Sequence, residues 1–265
     1  ITKYVGGLKH VYEPAVSFLL KHKLGCDGAI SFDITNACAG MLSGIHLASD
    51  FIERGVVNNC LVVSGEYITS LSRNAAGHIR TSDDLQIASL TLGDAGAAAM
   101  LSRSAPEEGF SASRFKTFGA YSDLCIAYLS STQSGGIMET HMKEIHEASI
   151  AHAPQVVEEA LEEAGMSLDQ MDVIIPHQTS MHAIRDGHRH FTNHFGKFEA
   201  RVGINLAKMG NTASTSHVLA LYSLLKEGKL RRGDRIMLLS FASGLVIGVL
   251  IFQIQGLAES YGSSH

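Results

Sequence analysis

Apolar and polar positions along the chain follow two periods, and each change of period marks an element. Residues 14–24 (PAVSFLLKHKL) open on Pro14, a favoured first helical residue, and stop at Gly25, which predicts a helix. The stretch 30–35 (ISFDIT) alternates and reads as a strand. Residues 38–54 place apolar positions at helical spacing and end at Gly55, and 60–65 (CLVVSG) reads as a buried strand. Residues 66–90 are polar and irregular, which predicts a long functional loop. Residues 90–104 read as a glycine turn and a strand, whereas 105–135 carry no clear period. A long helix with an acidic face, interrupted near Pro154, is expected over 141–165. The run VIIPHQ at 173–178 is a strand entering a polar turn, and 211–227 is a helix ending at Gly228.

Residues 236–258 carry no charge and include a GxxxG at Gly244 and Gly248, the pattern of a membrane helix. The β-branched Val246, Ile247, Val249, Ile251 and Ile254 instead predict two buried strands joined at Ala242-Ser243-Gly244. The same order of elements occurs twice. ISFDITNAC, a helix, Gly55 and CLVVSG match VGINLAKMGN, a helix, Gly228 and RIMLLSF. From Cys38 to Gly55, and from Asn211 to Gly228, the count is seventeen residues. This duplication predicts two pseudo-equivalent α/β halves, with Cys38 and Asn211 at equivalent strand-to-helix turns.

Composition narrows the function classes. Hydrophobic residues are 45% and charged residues 18% of the 265, which excludes a disordered chain. The net charge is −5, and no run of Lys or Arg marks a nucleic-acid surface. The four cysteines (Cys26, Cys38, Cys60, Cys125) show no CxxC spacing and fit a reduced, cytoplasmic protein. His188, His190 and His194 lie close together but match no metal-ligand template, and Glu158, Glu159, Glu162 and Glu163 read as a solvated helix face.

Three junctions carry candidate chemistry. Cys38 lies at a predicted helix N-terminus, where a thiol pKa is lowered, and reads as a nucleophile or as a small buried apolar residue. His177 ends a buried strand, where α/β sheets place ligands or a backbone-bonded histidine. Asn211 precedes a helix and reads as a cap or as a catalytic amide. With FDITNACAG around Cys38, GDAGAA at 93–98, PHQ at 176–178, GNTASTS from Gly210 and FASG at 241–244, the chain resembles the thiolase-fold condensing enzymes of the 3-oxoacyl-acyl-carrier-protein synthase III group.

The resemblance implies a thiolase-like α/β fold: a nucleophile-bearing half at 1–104 and a half at 105–265 that supplies His177 and Asn211. It implies acylation of Cys38, then decarboxylative condensation with a malonyl thioester whose carbonyl is held by His177 and Asn211. The backbone N–H groups of Cys38 and Ser243 are the implied oxyanion donors. Substrates would be acyl-CoA and malonyl-acyl-carrier protein or malonyl-CoA, with no cofactor and no metal. Partners would be the acyl carrier protein and a second subunit, identical or related. HQTS replaces the usual HQAN, His182 stands where an arginine is common, and FASG replaces FGGG. An acyl transfer to oxygen or nitrogen on the same three residues, or a non-catalytic partner subunit, remains as an alternative. Only ITKYVGG precedes the first unit where the second unit has a helix and a strand, so the first half is expected to be completed by a further segment or a partner chain. Asp94 of GDAGAA is expected to hold its turn rather than react.

Overall fold

A computed structural model describes residues 4–5, 9–10, 13–105, 108–131 and 136–261. A short antiparallel pair, β1 (Tyr4–Val5) and β2 (Lys9–His10), precedes α1 (Val16–Leu24). The first unit follows: a 3-10 turn Ala37–Ala39, α2 (Gly40–Glu53), β3 (Asn59–Glu66), α3 (Thr69–His78) and β4 (Ala95–Ser102). Then come β5 (Phe110–Thr117), β6 (Cys125–Leu129) and β7 (Gly136–Thr140). The rest is α4 (Met142–Ala164), β8 (Val173–Pro176), α5 (Met181–Phe195), β9 (Arg201–Val202), α6 (Leu206–Met209), a 3-10 turn Ala213–Thr215, α7 (Ser216–Lys226), β10 (Arg235–Ala242), β11 (Val246–Gln253) and α8 (Leu257–Tyr261).

The main sheet has the order β5-β11-β10-β8-β9, with β8 parallel to β10 and β9 and with β11 antiparallel to β10 and β5. Its central strands β8, β10 and β11 are apolar on both faces because both faces are covered. Ile174, Met237, Leu239, Val249 and Ile251 join one core with Val156, Val157 and Ala160 of α4 and Phe191 of α5. Their neighbours Val173, Ile175, Ile236, Leu238 and Leu250 point the other way, into a second core with Leu42 and Ile45 of α2 and Ala220 and Leu225 of α7. The two-residue side-chain period of a strand produces this division. Beyond α2 and α7, β3 and β4 pair antiparallel, and Val62, Ala99 and Leu101 close the second core. The uncharged run is therefore the strand pair β10–β11, not a span, and no helix among the described residues is long and apolar enough to cross a membrane.

Four expectations change. Residues 30–35 form no strand: the Asp33 carboxylate accepts hydrogen bonds from Val16 and Ser17 N–H and so caps α1. β3 is not a buried strand, since Leu61 and Val63 are exposed on its outer face. The region 66–90 is mostly ordered as α3 and a 3-10 segment, Ile87–Thr91. α4 runs through Pro154 without a break, because Ala153, Pro154, Val156 and Val157 are buried against the sheet and this packing outweighs one missing N–H donor.

Candidate active site

The two pseudo-equivalent turns share an unusual backbone. Ala37 (φ 43°) and Ala213 (φ 46°) both adopt the left-handed region, which costs a non-glycine residue roughly 1–2 kcal/mol. Superposing these turns makes Cys38 the counterpart of Ser214, not of Asn211. The equal count to Gly55 and Gly228 misleads because α2 has 14 residues and α7 has 11.

Cys38, His177, Asn211 and Ser243 all line one cavity of about 460 Å³, so the structure brings the four sequence-selected residues together. Cys38 sits in the 3-10 turn ahead of α2. Burial pushes its thiol up, from 9.0 to about 12, with the like charges of Cys125 and Glu66 adding and its own backbone N–H opposing. The expected lowering by the helix N-terminus is thus outweighed: taking the thiolate out of water costs more than the partial charge of one helix end returns.

His177 follows β8, and its N–H donates to the Leu239 carbonyl at 2.9 Å. The same carbonyl accepts from Nε2 of His217 at 3.1 Å, and the two rings stack with centroids 5.6 Å apart. Burial, and secondarily the charge of His217, lowers the His177 pKa from 6.5 to about 3, so the imidazole is neutral at physiological pH. Nδ1 of His177 is buried without a partner. The next residue, Gln178, is fully buried and fixes the turn: it donates to the Pro176 and Gly203 carbonyls and accepts from Asn205 N–H. Ser180, where the group usually has asparagine, caps α5 by accepting from Ala183 N–H at 3.0 Å.

Asn211 is tied by its backbone to the segment before β4. Its N–H donates to Thr91 O (2.8 Å) and its carbonyl accepts from Gly93 N–H (2.9 Å). Oδ1 accepts from Ala213 N–H at 3.0 Å, which leaves the NH₂ as the donor end of the amide. The approach needs two glycines. A Cβ on Gly93 would lie 2.0 Å from Met209 O, and one on Gly210 (φ +69°) would lie 2.9 Å from Thr91 O. Asp94 holds the neighbouring turn as expected, accepting from Ile68 and Thr69 N–H and the Thr69 hydroxyl. Partial burial works against its charge, but these hydrogen bonds and nearby Arg73 keep the carboxyl below its usual range.

Glu66, Ser214 and His217 were not selected from the sequence. Glu66 ends β3, is buried, and accepts from Ser214 Oγ (2.5 Å), Ser214 N–H (3.3 Å) and Ser64 Oγ (3.2 Å). It ties β3 to the turn that follows Asn211. Two of the α5 histidines have other contacts: His188 packs on Phe198 and His194 pairs with Glu158. The acidic face of α4 is not simply solvated, since Glu159 pairs with Lys116 and Glu163 with Arg114.

Comparison with known proteins identifies the family. The sequence model for 3-oxoacyl-[acyl-carrier-protein] synthase III matches residues 32–119, and the model for the C-terminal part of that enzyme matches 161–254. Together they take up more than two thirds of the chain. The chain belongs to the 3-oxoacyl-[acyl-carrier-protein] synthase III family. Among its relatives, the beta-ketoacyl-[acyl-carrier-protein] synthase III of Aquifex aeolicus is 27% identical over 240 residues, covering 91% of this chain and 72% of that protein. The Coxiella burnetii synthase III is 27% identical over 246 residues, covering 92% and 73%. A crystal structure of Xanthomonas campestris OleA superposes with a TM-score of 0.79 at 25% identity, over 92% of this chain and 72% of that one. The Aquifex aeolicus synthase III structure superposes at 0.76 and 24% identity, over 93% and 74%, a likeness of fold. The thiolase-like architecture of the synthase III family is thus the fold of this chain.

Proposed function

We propose that this chain is a cysteine-dependent acyltransferase that condenses acyl thioesters. Cys38 takes the acyl group of an acyl-CoA and releases CoA thiol. A malonyl thioester on acyl carrier protein or CoA then loses CO₂, and its enolate carbon attacks the acyl carbonyl. The Cys38–acyl bond breaks and a 3-oxoacyl thioester leaves. His177 and the Asn211 NH₂ donate to the malonyl thioester carbonyl as its oxygen gains charge, and Cys38 and Ser243 N–H hold the other oxyanion. Decarboxylation supplies the carbanion, so the reaction calls for no cofactor. A cytoplasmic setting goes with this reading, as does pairing with a second copy or a related chain, which the exposed Leu61, Val63 and Met100 of the β3–β4 face support.

The observation that supports this most is the pairing of donors around one thiol. A neutral imidazole and an amide whose oxygen is already bonded line the same cavity as Cys38. Two neutral donors suit a carbonyl that becomes an enolate. The test is intact-protein mass spectrometry after incubation with a panel of acyl-CoAs, followed by a CO₂-release assay with malonyl thioester. Cys38→Ala abolishes the adduct. His177→Ala or Asn211→Ala retains it and loses about a hundredfold or more in CO₂ release. An adduct on Cys26, Cys60 or Cys125 overturns the assignment.

A further inference from the structure

His177 offers the cavity a single nitrogen. Its Nδ1 is buried without a partner, which leaves Nε2 as the nitrogen that can meet a substrate carbonyl. A neutral imidazole carries one ring proton, and only the Nε2–H tautomer donates to that carbonyl. No hydrogen bond to Nδ1 among the described residues selects this tautomer. The plane of the ring matters as much as the proton. A half-turn about Cβ–Cγ would put Cε1 where Nε2 stands and leave the carbonyl without a donor.

His217 makes the contact that controls both. It is the second residue of α7, six residues after Asn211, fully buried and outside the cavity wall. Its Nε2 lies 3.1 Å from the Leu239 carbonyl, which can only accept, so Nε2 carries the proton. The same carbonyl accepts the His177 backbone N–H at 2.9 Å. Its two lone pairs are thus spent on two histidines, whose rings lie 5.6 Å apart and only 22° from parallel. A half-turn of the His177 ring must sweep against a ring that is itself anchored. Burial lowers the His217 pKa from 6.5 to about 4, so this neutral, anchored form persists at physiological pH.

The held ring then fixes the proton. With Nδ1 turned inward, a proton there would be a buried donor with no acceptor, whereas at Nε2 it faces the cavity. Phenylalanine would fill the place of His217 without leaving its own Nδ1 unpartnered, but it could not hold the Leu239 carbonyl. We infer that His217 is a positioning residue for His177: anchored on the Leu239 carbonyl, its ring keeps the His177 imidazole with Nε2–H toward the cavity. The consequence for rate rests on the condensing-enzyme reading, while the placement of the proton is a property of the free protein.

Two variants divide the contact. His217→Phe keeps a stacked ring and loses the bond to Leu239; His217→Gln keeps a donor for the carbonyl and loses the ring. Circular dichroism checks each fold, and one folded variant suffices. NMR of the nitrogen-15 histidine-labelled wild type at pH 7 shows His177 as a single Nε2–H tautomer, its signals assigned by their absence from His177→Ala. Each variant shows a mixture of tautomers. The kcat for malonyl-thioester decarboxylation falls about tenfold in each, while KM and the Cys38 acylation rate stay within about twofold. A residue that only fills the core would lower stability and leave the tautomer as it was. An Nδ1–H tautomer in the wild type, an unchanged tautomer in a folded variant, or an unchanged kcat where the tautomer has shifted overturns the inference. If the wild type decarboxylates no malonyl thioester, the condensing reading fails, and the tautomer measurement still decides whether His217 positions the ring.

Discussion

The thiol of Cys38 is expected to be unusually unreactive in the free protein, contrary to the usual picture of an activated nucleophile. Burial, together with Cys125 and Glu66, moves its pKa from 9.0 to about 12. At any pH below 9 the thiolate fraction is then about a thousandth of that of an unperturbed thiol, since each pH unit is tenfold. The assay is iodoacetamide alkylation from pH 6.5 to 10, with Cys38 followed by peptide mass spectrometry. The Cys38 rate should climb about tenfold per pH unit with no plateau up to pH 10, whereas free cysteine alkylated in parallel levels off. Glu66→Gln removes one of the opposing charges while keeping an acceptor for Ser214, so it should raise the Cys38 rate severalfold at pH 8. A plateau for Cys38 with a midpoint below 9 would show that burial does not dominate and would refute the reasoning. If the slope holds, the nucleophile is armed by the arrival of the thioester rather than kept as a standing thiolate. A thiol held in this way is also protected from oxidation between turnovers.

Two further outcomes follow from the buried polar groups and the tight turns. Burial holds His217 neutral with its pKa lowered from 6.5 to about 4. An unfolded histidine takes up its proton below pH 6.5, so the native state binds fewer protons and stability falls as pH drops from 6.5 toward 4. His217 alone contributes about 3 kcal/mol to that loss, at ~1.4 kcal/mol per pH unit, and His177→Ala leaves this part intact. Urea midpoints at pH 7 and pH 4.5 measure it, and His217→Phe should shrink the difference without removing it, because His177, lowered to about 3, titrates over the same window. Gly93→Ala forces a Cβ against the Met209 carbonyl that precedes Asn211. It should cost ~1–3 kcal/mol and cut malonyl decarboxylation about tenfold or more while Cys38 acylation persists, and an equal loss of both steps would count against a role in holding Asn211.

What the sequence disclosed follows how local each cause is. β8, β10 and β11 were legible because a strand buried on both faces must be apolar throughout, and their residues are. The junction of His177 was legible because a strand ending in a polar turn is itself a local pattern, whereas Cys38 and Asn211 were legible only from the helix that follows each, since no strand leads into either. α3 was not: TSLSRNAAGH is poor in helix formers, and its start is held by Asp94, more than twenty residues further along. ISFDIT alternates like a strand, yet Asp33 is drawn to the start of α1, and local alternation carries no information about a partner. The equivalence of Cys38 with Asn211 failed for a related reason. Counting to the next glycine measures helix length, whereas the positive-φ alanines mark the true correspondence. That correspondence changes how the site reads. The position equivalent to Cys38, the proposed nucleophile, is Ser214, and its hydroxyl is bound to Glu66. One copy of the turn thus presents a side chain to the cavity, while the other spends its side chain on holding the two halves together. Asn211 lies two residues before that second turn, in a loop anchored by Thr91 and Gly93 from the first half. The proposed reaction centre is therefore asymmetric although the fold around it is duplicated, and the asymmetry resides in contacts between distant segments.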